Sequence, residues 1–106
     1  MGRLRRITVY QKKKFASSTI EVNYAEGPDN GPPLLFIHGL GGRWSVWQSI
    51  MDQFAENWHV YAIDLRGHGD SVRVPGGYGF ADYSTEVVEF LQTVIAEPTF
   101  VIGHSL

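Results

Sequence analysis

Three short apolar runs, at 34–37, 60–63 and 99–102, each break off into a segment rich in glycine or serine. A stretch of helical periodicity separates each run from the next. Four-residue apolar runs bounded by turn formers have the pattern of strands buried on both faces. Strand, loop and helix in alternation require crossover connections, which are right-handed and build a parallel sheet flanked by helices. Ligands of such sheets bind beyond the carboxyl ends of the strands. The loop segments 38–42, 64–71 and 103–106 all fall at that edge. The chain therefore reads as α/β, with a single domain over residues 1–106.

The elements between these runs follow from periodicity. Residues 7–10 and 19–24 read as two further strands, the second alternating apolar and polar. The stretch 27–33 is dense in Gly, Pro, Asp and Asn and reads as a surface loop. Trp47, Ile50, Met51, Phe54 and Trp58 recur at three- and four-residue spacing, the stripe of an amphipathic helix. Ser45 with Gln48 three residues later fits a capping box and predicts a helix start there. Residues 66–79 hold glycines and Pro75 without a regular pattern. Tyr83, Val87, Phe90, Leu91, Val94 and Ile95 predict a second helix, stopped by Pro98.

Composition narrows the function classes. With 9 basic against 11 acidic residues among 106, the chain is neither a charged disordered tail nor a strongly basic nucleic-acid binder. Arg3, Arg5, Arg6, Lys12, Lys13 and Lys14 crowd the first 14 residues, the lysines reading as solvation of an edge strand. The absence of cysteine excludes a thiol nucleophile and a thiolate metal site. No apolar stretch approaches the roughly 20 residues of a membrane span, so the chain reads as a cytoplasmic domain.

Cofactor motifs fail in turn. The dinucleotide fingerprint would need a glycine where Trp44 or Val72 stands, and no lysine for a phosphate loop follows Lys14. His38, His59, His68 and His104 show no metal-ligand spacing, and His59 opens its strand at the opposite edge. No cofactor and no metal are expected.

What remains is nucleophilic catalysis. Gly103-x-Ser105 at the end of a buried strand forms the first part of a nucleophile elbow, a strained strand-to-helix turn that exposes the hydroxyl. Together with His38-Gly39-Leu40-Gly41-Gly42 and the run Asp64-Leu65-Arg66-Gly67-His68-Gly69-Asp70-Ser71, it resembles the α/β-hydrolase family. The branch is that of small esterases, enol-lactonases, carbon–carbon bond hydrolases and haloperoxidases.

The resemblance implies Ser105 as nucleophile, with the backbone N–H groups of Leu40 and Leu106 as the oxyanion hole. His38, Gly39, Gly41, Gly42, Gly103 and His104 would support these loops, and Asp64, Arg66 and His68 would hold a turn by hydrogen bonds. Trp44 is a candidate for lining the pocket; Trp47 and Trp58 read as packing residues. The expected partner is a small carbonyl substrate, with no nucleic acid and no membrane span. No oligomeric state is assigned.

The sequence departs from the family pattern after Leu106. The elbow's second glycine, the catalytic acid, the general-base histidine and any cap would follow that position. The expectation is the N-terminal part of an α/β-hydrolase fold, its sheet mostly parallel and truncated after the nucleophile strand. By itself it would be inactive, with an apolar sheet edge open. The complete protein would cleave an ester, thioester, lactone or related carbonyl through an acyl-enzyme. The alternative is a non-catalytic, receptor-like ligand binder on the same fold.

Overall fold

Five strands form one mixed sheet in a computed structural model that describes residues 8–104. They are β1 (Gln11–Ala16), β2 (Glu21–Glu26), β3 (Pro33–Ile37), β4 (His59–Ile63) and β5 (Phe100–Gly103), in spatial order β1-β2-β4-β3-β5. β3 pairs in parallel with β4 on one side and β5 on the other, as the crossover argument requires. The β1–β2 hairpin adds antiparallel pairings at the other edge. The expected apolar edge is also present: Phe100 and Val101 of β5 are 64% and 46% exposed.

The runs of β3 and β4 are buried on both faces because their residues alternate between two cores, whereas the run of β5, expected to be buried, is exposed because that strand lies at the sheet edge. Leu34 and Phe36 of β3, with Val60 and Ala62 of β4, pack against Met51 and Ala55 on one face. Leu35, Tyr61 and Ile63 point the other way, toward Tyr83 and Phe90. Fully burying such a side chain contributes roughly 1.5–3 kcal/mol. The two helices that supply the covers are α1 (Gln48–Phe54) and α2 (Phe80–Phe90).

Several boundaries differ from the sequence reading, and β2 runs over Glu21–Glu26 rather than 19–24. The first strand is not 7–10; pairing begins at Gln11 and takes in Lys12, Lys13 and Lys14, while Ile7 lies outside the described residues. The lysines fit because β1 is an edge strand whose side chains, Phe15 excepted, face solvent. Tyr10 is held instead by packing edge-on against Trp44 and donating its hydroxyl to the Asp52 carboxylate.

The capping box at Ser45 does not form. A 3-10 turn over Trp44–Trp47 precedes α1, with Arg43 in the N-cap position and no side-chain cap. The opening amide, Trp44 N–H, donates to Asp64 Oδ1 at 2.6 Å. A carboxylate from the neighbouring loop thus satisfies the first free amide of the turn, one residue ahead of the serine.

The second helix follows its predicted stripe and ends with it at Ile95. α2 opens at Gly79, whose N–H donates to Asp82 at 2.9 Å, and runs on through one wide turn, Leu91–Ile95. Ala96 closes that turn in the left-handed region at φ 59°.

Candidate functional site

Register brings the three motifs to one rim. Ile37 is paired with Ile63 in β4 and with Gly103 in β5, so His38, Asp64 and His104 leave the sheet side by side. The ladder continues one step further, His104 N–H donating to Ile37 O at 3.0 Å. Ser105 and Leu106, the expected nucleophile and second oxyanion donor, lie outside the described residues.

Beyond His38 the chain makes a tight turn. Gly42 N–H donates to Gly39 O at 3.0 Å, and Gly41, in the third position, has φ 85°. That is the sign a type II turn demands, and a side chain there would be strained. Leu40 occupies the second position with 68% exposure, and its N–H meets no acceptor among the described residues. Its amide is thus without a partner among the described residues, while Gly39 O, Gly41 N–H and Gly42 N–H are engaged.

Those flanking bonds come from two histidines. His38 is fully buried; Nδ1 faces Gly39 O at 2.7 Å and Nε2 faces Leu65 N–H at 3.0 Å. A carbonyl requires a donor and an amide requires an acceptor, so the ring is neutral with its proton on Nδ1. Burial pushes the imidazole below the ordinary histidine value, in the same direction. His68 repeats the pattern: Nδ1 donates to Arg66 O at 2.9 Å, and Nε2 accepts Gly41 N–H at 2.9 Å.

Asp64 is the hub of the second loop. Its buried carboxylate accepts from Trp44 N–H at 2.6 Å and from Asn23 Nδ2 and Asp70 N–H at 2.9 Å each. Three N–H donors compensate a carboxylate that would otherwise be costly to bury. Gly69 is required beside it, since a Cβ there would stand 2.2 Å from Asp64 Oδ2, at a backbone φ of 50°. Ser71 Oγ joins the network by donating to Asp64 O at 2.6 Å and accepting Asn23 N–H at 2.7 Å.

Arg66 anchors the far side of this loop. Its Nε bonds to the buried Glu86 carboxylate on α2, and its other nitrogens donate to Gly77 O at 2.7 Å and Thr19 Oγ1 at 3.0 Å. Burial pushes Glu86 above the usual carboxylate range, with Arg66 pulling the other way.

Asn23 and Glu86 were absent from the sequence reading. A signal exists for Glu86, a carboxylate between Tyr83 and Phe90 on the stripe of a helix; Asn23 stands at an ordinary polar position of an alternating strand.

A cleft of about 420 Å³ opens over the turn. Leu40, Val46, Trp47 and Ile50 form its apolar wall, with Gly39, Gly41, Gly42 and His104 at the base. The tryptophan on that wall is Trp47; Trp44, the residue singled out from sequence, packs edge-on against Tyr10. Among the described residues no group of three or more His, Asp or Glu is placed to hold a metal ion, and no helix is long and apolar enough to cross a membrane.

Known proteins share this fold. The family model described as the alpha/beta hydrolase fold matches residues 32–106. The chain is 31% identical over 77 residues to 2-(acetamidomethylene)succinate hydrolase of Mesorhizobium japonicum, covering 73% of this chain and 28% of that protein. It is 35% identical over 75 residues to a soluble epoxide hydrolase of a Corynebacterium species, covering 71% and 26%.

Among solved structures, that of E-2-(acetamidomethylene)succinate hydrolase superposes with a TM-score of 0.84 at 27% identity, covering 92% of this chain and 36% of that one. The chain belongs to the α/β-hydrolase family. It spans about a third or less of the length of these relatives.

Proposed function

We propose that this segment supplies the nucleophile and oxyanion-hole portion of a serine hydrolase acting on an ester, thioester, lactone or related carbonyl compound. The observation that carries the reading is the Leu40 amide, without a partner among the described residues, in the turn at the rim where β3, β4 and β5 end in register. Relatives whose names describe hydrolysis of a succinate derivative and of epoxides support the hydrolytic class.

In this reading Ser105 Oγ forms a bond to the substrate carbonyl carbon, and the carbonyl oxygen takes up the negative charge. The N–H groups of Leu40 and Leu106 receive that oxyanion. Losing one such fixed donor typically costs about 3 kcal/mol of transition-state stabilisation. The leaving group departs with a proton, and water then releases the acyl group from Ser105. The proton transfers require a general base, which falls to a residue outside these 106.

His38 and His68 do not fill that role here. Each has both nitrogens committed to backbone groups, leaving no lone pair for a serine proton. The cleft wall of Leu40, Val46, Trp47 and Ile50 suits an apolar group beside the scissile carbonyl.

Treatment of the whole protein with a fluorophosphonate probe, followed by peptide mapping, tests the reading. A single adduct on Ser105, abolished in Ser105→Ala, is expected. Absence of an adduct on Ser105 overturns it.

A further inference from the structure

The geometry points to His68 as the positioning residue of the oxyanion-hole turn, acting through Gly41 N–H on the peptide beside the Leu40 donor. This rests on the reading of Leu40 as an oxyanion donor. It goes beyond it by giving the loop after β4 a part in catalysis.

The argument starts from the turn itself. In a four-residue turn, types I and II differ by a half-rotation of the central peptide, here the one joining Leu40 to Gly41. The bond from Gly42 N–H to Gly39 O is available to both forms and does not choose between them. Glycine at position 41 permits φ of either sign, so local sequence leaves this peptide free to rotate.

His68 removes that freedom. Its Nε2 accepts Gly41 N–H at 2.9 Å and so grips the hydrogen of the peptide in question. In the rotated form the Leu40 carbonyl oxygen would face the Nε2 lone pair, acceptor against acceptor. The ring is oriented in turn by Nδ1–H donating to Arg66 O at 2.9 Å, and Arg66 is fixed on Glu86. A chain of hydrogen bonds thus runs from the buried face of α2 to the peptide next to Leu40.

The consequence concerns the transition state more than substrate binding. An oxyanion hole accelerates a reaction because its donors are in place before charge develops. Types I and II share φ at the second position, so the rotation does not turn Leu40 N–H itself; releasing His68 instead loosens the placement of the turn that carries the donor, and small misplacements of catalytic groups are expensive.

Two substitutions separate this role from mere support of the 66–71 loop. In His68→Asn the amide nitrogen takes the place of Nδ1 and keeps the bond to Arg66 O, but nothing reaches Gly41. In His68→Gln the side-chain oxygen reaches the place of Nε2 and can accept Gly41 N–H.

The experiment measures kcat and KM of both variants in the whole protein, together with fluorophosphonate labelling of Ser105. Imidazole ¹⁵N NMR of His68 and hydrogen exchange at the Gly41 amide are recorded alongside. For His68→Asn, kcat falls roughly 10- to 100-fold while KM moves less than about threefold, and Gly41 exchange quickens. His68→Gln recovers most of the lost rate and the Gly41 protection.

Wild-type kcat in His68→Asn with Ser105 still labelled overturns the role while leaving the hydrolase reading intact. Equal loss in both variants also overturns it. An Nε2–H tautomer of His68 in the wild-type protein overturns it without recourse to any variant. Failure of Ser105 to label in the wild-type protein overturns the functional reading, and this role with it.

Discussion

His38 and His68 face each other with ring centroids 4.9 Å apart, and each accepts an amide hydrogen from the loop that carries the other. His38 takes Leu65 N–H from the loop after β4; His68 takes Gly41 N–H from the loop after β3. Each also donates Nδ1–H to a carbonyl of its own loop. The pair is a reciprocal clasp between two turns, with Asp64 on Trp44 N–H as a third tether.

The clasp sets a pH dependence. His38 is held below its ordinary value of 6.5, chiefly by burial, so the folded state favours the neutral ring. Its contribution is fully present above 6.5. It declines as pH falls below that value, because the unfolded chain then takes up a proton that the fold refuses, and is lost as pH falls through the depressed folded value. Urea unfolding of the whole protein across pH 4–8 is expected to show this slope, and His38→Gln to flatten it. An unchanged slope in the variant refutes the assignment.

Arg66 and Glu86 form a buried ion pair that joins the 66–71 loop to α2. Arg66→Met alone strands the Glu86 carboxylate and is expected to cost about 3–5 kcal/mol. Replacing both, as Arg66→Met with Glu86→Leu, is expected to cost on the order of 2 kcal/mol less than the sum of the single changes. A double-mutant cycle by denaturant unfolding reads this coupling directly.

Gly69 admits no side chain. A Cβ would fall 2.2 Å from Asp64 Oδ2 and would sit on a backbone at φ 50°. Gly69→Ala is expected to destabilise the protein by about 3 kcal/mol or more, through both strain and displacement of the carboxylate. A thermal midpoint equal to wild type contradicts the geometry.

Ala96 presents the opposite case. It is exposed, ends the turn after α2, and is the non-glycine residue with positive φ among those described. Ala96→Gly relieves that conformation and is expected to stabilise the protein by about 1 kcal/mol. Equilibrium unfolding checks the sign.

The sheet was legible in the sequence because its strands announce themselves. Leu34 to Ile37 and Val60 to Ile63 are continuous apolar runs, and only a strand covered on both faces needs that pattern. The first strand was misplaced because apolar content at 7–10 outweighed three lysines that an edge position tolerates. The helix start at Trp44 was misread for a different reason: its cap, Asp64, is distant in sequence and invisible to local rules.

The site divides in the same way. The convergence of loops followed from topology, since strand ends in register must place their loops together. The clasp did not, because a hydrogen bond between Gly41 and His68 depends on two turns whose shapes no local pattern fixes. Glu86 stood in plain view as a carboxylate on an apolar stripe, whereas Asn23 sits at a polar position of an alternating strand and gave no such signal; both prove to be partners of the loop after β4.

Leu40, Val46 and Ile50, which wall the cleft, are 68%, 60% and 41% exposed and belong to neither core. The side chains that would meet a substrate are therefore ones the scaffold hardly depends upon. Selection is free to exchange them, reshaping what the protein prefers to act on, while the strands and paired imidazoles beneath stay as they are.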